Sequence, residues 1–152
     1  MTGPFRLLLI EDNPGDADLV REALAIGDPP VEITVVERVG DALTWLDDRT
    51  MAGEPLPDLI IHDLNLPGVH GIQGIRMIKE DPLWRVVPLL VLSSSEVESE
   101  RAVCRELGAA AFWSKPRVWE EYEAFAAHLR HSLQSGQFLI MRLAWGAGST
   151  QS

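Results

Sequence analysis

The chain has a single cysteine, Cys104, in 152 residues. An internal disulfide is excluded, and a reducing compartment is the natural reading. Positive charge is also scarce. Thirteen Lys and Arg stand against 23 Asp and Glu, giving a formal net charge of −10. Nucleic-acid phosphates and anionic bilayers are both gripped by clustered Lys and Arg, so no nucleic acid and no membrane are expected as partners. No apolar run approaches the length of a membrane span. The opening "MTGPFRLLLIEDN" has an apolar run too short for a signal peptide, and acidic residues interrupt it. A cytoplasmic location follows as an expectation. Internal repeats and low-complexity segments are lacking too. What remains is 46% hydrophobic and 24% charged, as suits one soluble domain with a single core.

The apolar residues alternate between two periods. "FRLLLI" (5–10), "VEITVV" (31–36), "DLIIHDL" (58–64), "VPLLVLS" (87–93) and "AAFWS" (110–114) read as strands. Between them lie helical segments. "NPGDADLVREALAI" offers Asn13 as a cap and Pro14 at the first helical position. "DALTWLDDR" (41–49) and "GIQGIRMIKED" (71–81) follow, with "MAGEPLP" (51–57) a loop by its Gly and Pro content. "SEVESERAVCRELG" (95–108) begins with a Ser-x-x-Glu capping box at Ser95 and Glu98. "VWEEYEAFAAHLRHSL" (118–133) places Trp119, Tyr122, Phe125, Ala126, Leu129 and Leu133 on one stripe. The order is β-α five times. Strands apolar on both faces imply a parallel sheet covered on both sides, and right-handed crossovers make it a doubly wound (βα)5 three-layer sandwich of the flavodoxin-like kind.

In that architecture the carboxyl ends of all five strands share one edge, where α/β proteins place their chemistry. Glu11 and Asp12 follow the first strand, Asp63 the third, Ser93 closes the fourth, and Lys115 follows the fifth. Crowded carboxylates repel unless a cation relieves them. Mg²⁺, or Mn²⁺, suits one or two carboxylates with waters and phosphate oxygens. A carboxylate can also attack a phosphoryl group and form an acyl phosphate. Asp63 is then the expected nucleophile. Asp12, with Glu11 through water and the backbone carbonyl of Asn65, would hold the metal. Lys115 would pair with the phosphoryl oxygens, and Ser93 would hydrogen-bond them.

The pieces "IED" (10–12), "DLNLPG" (63–68), "VLSSS" (91–95) and "KP" (115–116) resemble the receiver domain of bacterial response regulators. The spacings match as well: 93 − 63 = 30 and 115 − 93 = 22. The resemblance spans residues 5–133 and implies a CheY-like protein phosphorylated by a sensor histidine kinase, not an enzyme acting on external substrates. More narrowly, "IEDNPGDADLVREAL" and "DLNLPG" resemble the stand-alone regulators that pair with bacterial phytochromes, which implies a bacteriophytochrome as the kinase. It also implies that the aromatic at Phe112 changes rotamer on phosphorylation. The alternative for Phe112 is a strand residue packed under the fourth helix.

Departures and rivals are visible too. Ser93 stands where threonine is common, and keeps the hydroxyl. His62 stands where an apolar residue is usual and is expected to be a hydrogen-bonded, partly buried histidine rather than a pH sensor. His70 stands where an acidic residue is frequent. Residues 134–152 form a C-terminal extension whose apolar centre, "FLIMRLAW", is either a tail lying on the domain itself or a dimerisation element. A homodimer through the side of the fourth and fifth helices is the expectation. An aspartate-nucleophile phosphohydrolase would need an acid/base carboxylate at position 65, where Asn65 stands. A docking or dimerisation module never regulated by phosphorylation is the remaining rival.

Overall fold

The computed structural model describes residues 4–64, 71–94 and 97–136. Five strands, β1 (Phe5–Ile10), β2 (Val31–Val36), β3 (Leu59–Asp63), β4 (Leu89–Ser93) and β5 (Ala111–Ser114), alternate with five helices. The helices are α1 (Pro14–Ala25), α2 (Val39–Ala52), α3 (Gly71–Glu80), α4 (Glu98–Glu106) and α5 (Trp119–Ser135). The strands form one parallel sheet in the order β2-β1-β3-β4-β5. This is the flavodoxin-like, CheY-like arrangement that the alternation of strands and helices predicts.

The period-two pattern of each inner strand serves two cores. Leu7, Leu9, Leu59, Ile61, Leu90 and Leu92 face α1 and α5, against Val20, Leu24, Phe125 and Leu129. Leu8, Ile10, Ile60, Leu89 and Val91 face the other way, against Leu46, Ile75, Ile78 and Cys104 of α2, α3 and α4. Strands apolar on both faces therefore bury both. Across the first core, Arg130 of α5 donates to the carbonyls of Leu24, Ile26 and Pro29, satisfying acceptors at the end of α1.

Helix ends differ from expectation where the sequence carries no cap. α2 begins at Val39 after Arg38, which makes no side-chain cap. It runs through Met51 and Ala52, read as loop from sequence, and ends on Gly53 in the left-handed region at φ 71°. α4 begins at Glu98 with Val97 as its N-cap, later than the start expected at Ser95, and valine has no side-chain acceptor. Ser95 itself lies outside the described residues. A short 3₁₀ turn, Trp84–Val86, was not expected. Asp81 organises it by accepting from the backbone N–H groups of Leu83 and Trp84 at 2.8 and 3.0 Å.

Candidate functional site

Parallel register levels the strand ends. Ile10 pairs with His62, Asp63 with Leu92, and Ser93 with Ser114. The ladder continues one residue beyond each strand. Glu11 N–H donates to the Val36 carbonyl, Leu64 N–H to that of Leu92, and Lys115 N–H to that of Ser93, each at 2.9 Å. The polar residues at this edge therefore start from backbone already fixed by the sheet. On the same edge, α3 begins at Gly71. A Cβ there would run into the Leu64 carbonyl, so only glycine lets the helix start this close to the strand.

Lys115 lies at the centre of the edge. Its Nζ is 2.8 Å from Glu11 Oε1, 3.0 Å from Asp16 Oδ2 and 3.2 Å from Asp63 Oδ2. An ammonium has three hydrogens, and here three carboxylates receive it. Burial alone would lower the Lys115 pKa. The hydrogen bonds to Glu11 and Asp16 and the charges of Asp63 and Glu11 outweigh that and hold it above the ordinary lysine value. Glu11 is 2% exposed and Asp63 1%. Burial, the largest influence, pushes the Glu11 carboxyl up to about 7, with Lys115 opposing and the Asp63 charge assisting. Burial chiefly, and the neighbouring Asp63 charge in addition, thus make this carboxylate reluctant to ionise.

Glu11, Asp12 and Asp63 can each direct one carboxylate oxygen to within 4.8 Å of the others. Three hard oxygen donors, one half-buried and open at Asp12, suit an oxygen-seeking divalent cation. A cation here would offset both the burial and the Asp63 charge that raise Glu11.

Of the residues expected from sequence, Glu11, Asp12, Asp63, Ser93 and Lys115 all come to this edge. Ser93 is fully buried, and it lines a cavity of about 410 Å³ together with Ser94, Trp113, Lys115 and Arg117. Phe112 lies on the α4 side of β5, buried in the second core, with the Arg101 guanidinium 5.0 Å from its ring centroid. Trp113 faces the opposite way, 5.3 Å from the Phe125 ring and 4.8 Å from that of His128. Asn65 and His70 lie outside the described residues, as do residues 137–152, which hold most of the C-terminal extension.

One participant was missed. Asp16 is the third helical residue of α1 and a direct partner of Lys115. The Asn-Pro-x-Asp start of that helix was visible in sequence but carried no role there. Its meaning depends on α1 leaving β1 at the site edge, so that its first turn faces the lysine.

His62 is more deeply buried than expected, at 0% exposure. Its Nδ1 lies 2.8 Å from the Asp63 carbonyl oxygen. A carbonyl can only accept, so Nδ1 carries the proton and Nε2 is bare. Nε2 has no hydrogen-bond partner among the described residues. Burial lowers the His62 pKa to about 4, against weaker opposing effects of the Asp63 carbonyl and charge. The ring is therefore neutral at pH 7.

The response regulator receiver domain family matches residues 7–125. The chain belongs to that family. Receiver domains act in two-component signalling and interact with histidine kinases. Similar proteins include the response regulator Rcp1 of Synechocystis sp., 30% identical over 115 residues, which are 75% of this chain and 78% of Rcp1. Rre1 of the same organism is 30% identical over 130 residues, 85% of this chain; the chain spans only 53% of Rre1. Among solved structures, the phosphorylated cyanobacterial phytochrome response regulator RcpA superposes with a TM-score of 0.80 at 29% identity, covering 88% of this chain and 96% of RcpA. The Mn²⁺-bound form of Rcp1 superposes with a TM-score of 0.74 at 28% identity, over 83% and 91% of the two chains. The receiver domain thus has single-domain, phytochrome-associated regulators among its near relatives. No helix among the described residues is long and apolar enough to cross a membrane.

Proposed function

We propose that this receiver is a stand-alone response regulator that takes a phosphoryl group from a sensor histidine kinase onto Asp63. The observation that carries the reading is the placement of Asp63: at the end of β3, 1% exposed, 3.2 Å from Lys115 and grouped with Glu11 and Asp12. The printed descriptions of RcpA as phosphorylated and of Rcp1 as Mn²⁺-bound favour the same chemistry.

An Asp63 carboxylate oxygen attacks the phosphorus of the kinase phosphohistidine. A P–O bond forms, the P–N bond breaks, and the imidazole leaves with the electron pair. Asp12 and Asp63, with Glu11 through water and the Asn65 carbonyl, would hold Mg²⁺ or Mn²⁺, which would supply charge neutralisation for the phosphoryl oxygens. Lys115 turns its charge from Glu11 and Asp63 towards the incoming group. Ser93 donates its hydroxyl to the same oxygens, and the β4–α4 region adjusts. Phe112, beneath α4, transmits the change across the α4–β5–α5 side. Residues 5–133 are the receiver, and 134–152 an extension that helps form a homodimer on that side. A bacteriophytochrome is the proposed kinase, by likeness to RcpA and Rcp1. The output is contact with another protein or onward phosphotransfer.

Purified protein with Mg²⁺ and a small acyl-phosphate donor, run beside Asp63→Asn on a phosphate-affinity gel, tests this. A retarded, base-labile band in the wild type alone is expected. No retarded band from folded wild-type protein would reject phosphorylation and favour a docking module.

A further inference from the structure

Lys115 is held by three carboxylates, and they are not equivalent. Glu11 and Asp63 belong to the acidic group that fits a divalent cation; Asp16 does not. A cation and a phosphoryl group arriving at the edge would compete with Lys115 for Glu11 and Asp63. Neither would compete for Asp16.

We infer that Asp16 is a positioning residue: it tethers the Lys115 ammonium at the strand edge while cation and phosphoryl group take over the other two carboxylates. This rests on Asp63 being the phosphoryl acceptor. Asp16 is well placed for the task. Its backbone N–H donates to the Asn13 side chain at 3.1 Å, so the cap of α1 fixes the turn that carries it. Its side chain is about one-third exposed, whereas Glu11 and Asp63 are buried. Tyr122 of α5 lies beneath the same spot; burial first and the Asp16 charge second raise its phenol pKa. An acid in the first turn of a helix is commonly explained by the helix dipole. The dipole does not account for an ion pair at 3.0 Å with a lysine 115 − 16 = 99 residues away.

The test is the rate of acyl-phosphate formation from a small donor at saturating Mg²⁺, on the full chain. Four proteins are compared: wild type, Asp16→Asn, Lys115→Met and the double variant. Asp16→Asn is expected to slow the reaction about tenfold, and to slow it less than about twofold further once Lys115 is gone. Asp16→Glu should recover most of the rate. The inference is overturned if Asp16→Asn reacts at the wild-type rate, or if it slows the reaction equally with and without Lys115. It also falls if Asp16→Glu is as slow as Asp16→Asn. An unreactive wild type would instead reject the Asp63 reading, and Asp16 with it. A reactive wild type beside an unaffected Asp16→Asn rejects the tether alone.

Discussion

His62 and Asp63 are neighbours on β3, both essentially buried, and their surroundings are opposite. Asp63 faces the α1 and α5 side at the strand edge, where Lys115, Glu11 and Asp12 gather. His62 faces α2 and α3, with Gly74 of α3 close to its ring, and Nε2 has no hydrogen-bond partner among the described residues. Burial of a polar group is thus two different things one residue apart. At Asp63 it concentrates charge among carboxylates whose placement fits a divalent cation. At His62 it selects the neutral form of a ring that packs like an apolar side chain.

Breaking the charged half should have the largest effect. Lys115→Ala leaves Glu11 and Asp63 buried without their cation. Unfolding in urea with a chelator present should show a loss of about 3–5 kcal/mol. Added Mg²⁺ should return part of it. Asp63→Asn should do the reverse and raise the melting temperature without metal, because it removes the Asp63 charge that adds to burial in lifting Glu11. A stabilised Lys115→Ala would mean that the carboxylates are not mutually repelling.

The neutral half should answer to pH. His62 has a folded pKa near 4, below the ordinary 6.5, so the unfolded chain binds the extra proton between those values. Its contribution is fully present above pH 6.5 and is lost as pH falls towards 4, on the order of 3 kcal/mol in all. Glu11, raised to about 7, has the opposite sign: its contribution is present below pH 4.5 and is lost as pH rises through 7. The two trends overlap in the wild type. The difference in stability between wild type and His62→Leu cancels Glu11 and should slope upward with pH from 4 to 6.5. A flat difference curve would mean that the ring is not held neutral.

Gly74→Ala sharpens the packing side. The new Cβ would lie 2.7 Å from Val39 Cγ2 and 2.8 Å from His62 Nε2. Overpacking costs about 1–3 kcal/mol, against about 1 kcal/mol of improved helix propensity. A net loss measured by chemical denaturation, changed in size when His62 is also replaced, is expected. Asn13→Ala should have the smallest effect, a stability loss of about 1 kcal/mol from the α1 cap. It should also give a modest slowing of phosphorylation if the cap positions Asp16.

Most of this organisation was legible in sequence because it rests on local patterns. Leu7 to Ile10 and Leu89 to Leu92 are apolar without a break, so each strand had to be covered on both faces. Strand-end polar residues then converge by topology alone, which is why Glu11, Asp12, Asp63, Ser93 and Lys115 were found without coordinates. Asp16 was not, because its pairing depends on the direction in which α1 leaves the sheet. The ends of α2 and α4 were misplaced because Arg38 and Val97 give no capping signal. The depth of His62 depends on the absence of a side chain at Gly74, one layer away in α3, which no periodicity in β3 reveals.

The most direct test is to locate the modified atom. Wild-type protein treated with a small acyl-phosphate donor and Mg²⁺ would be reduced with borohydride, which converts an aspartyl phosphate to the corresponding alcohol, and then mapped by peptide mass spectrometry. Reduction confined to position 63, and abolished by chelator, is the predicted result. Modification at Asp12 or Glu11, or none in a folded protein with Mg²⁺ bound, would contradict Asp63 as the phosphoryl acceptor.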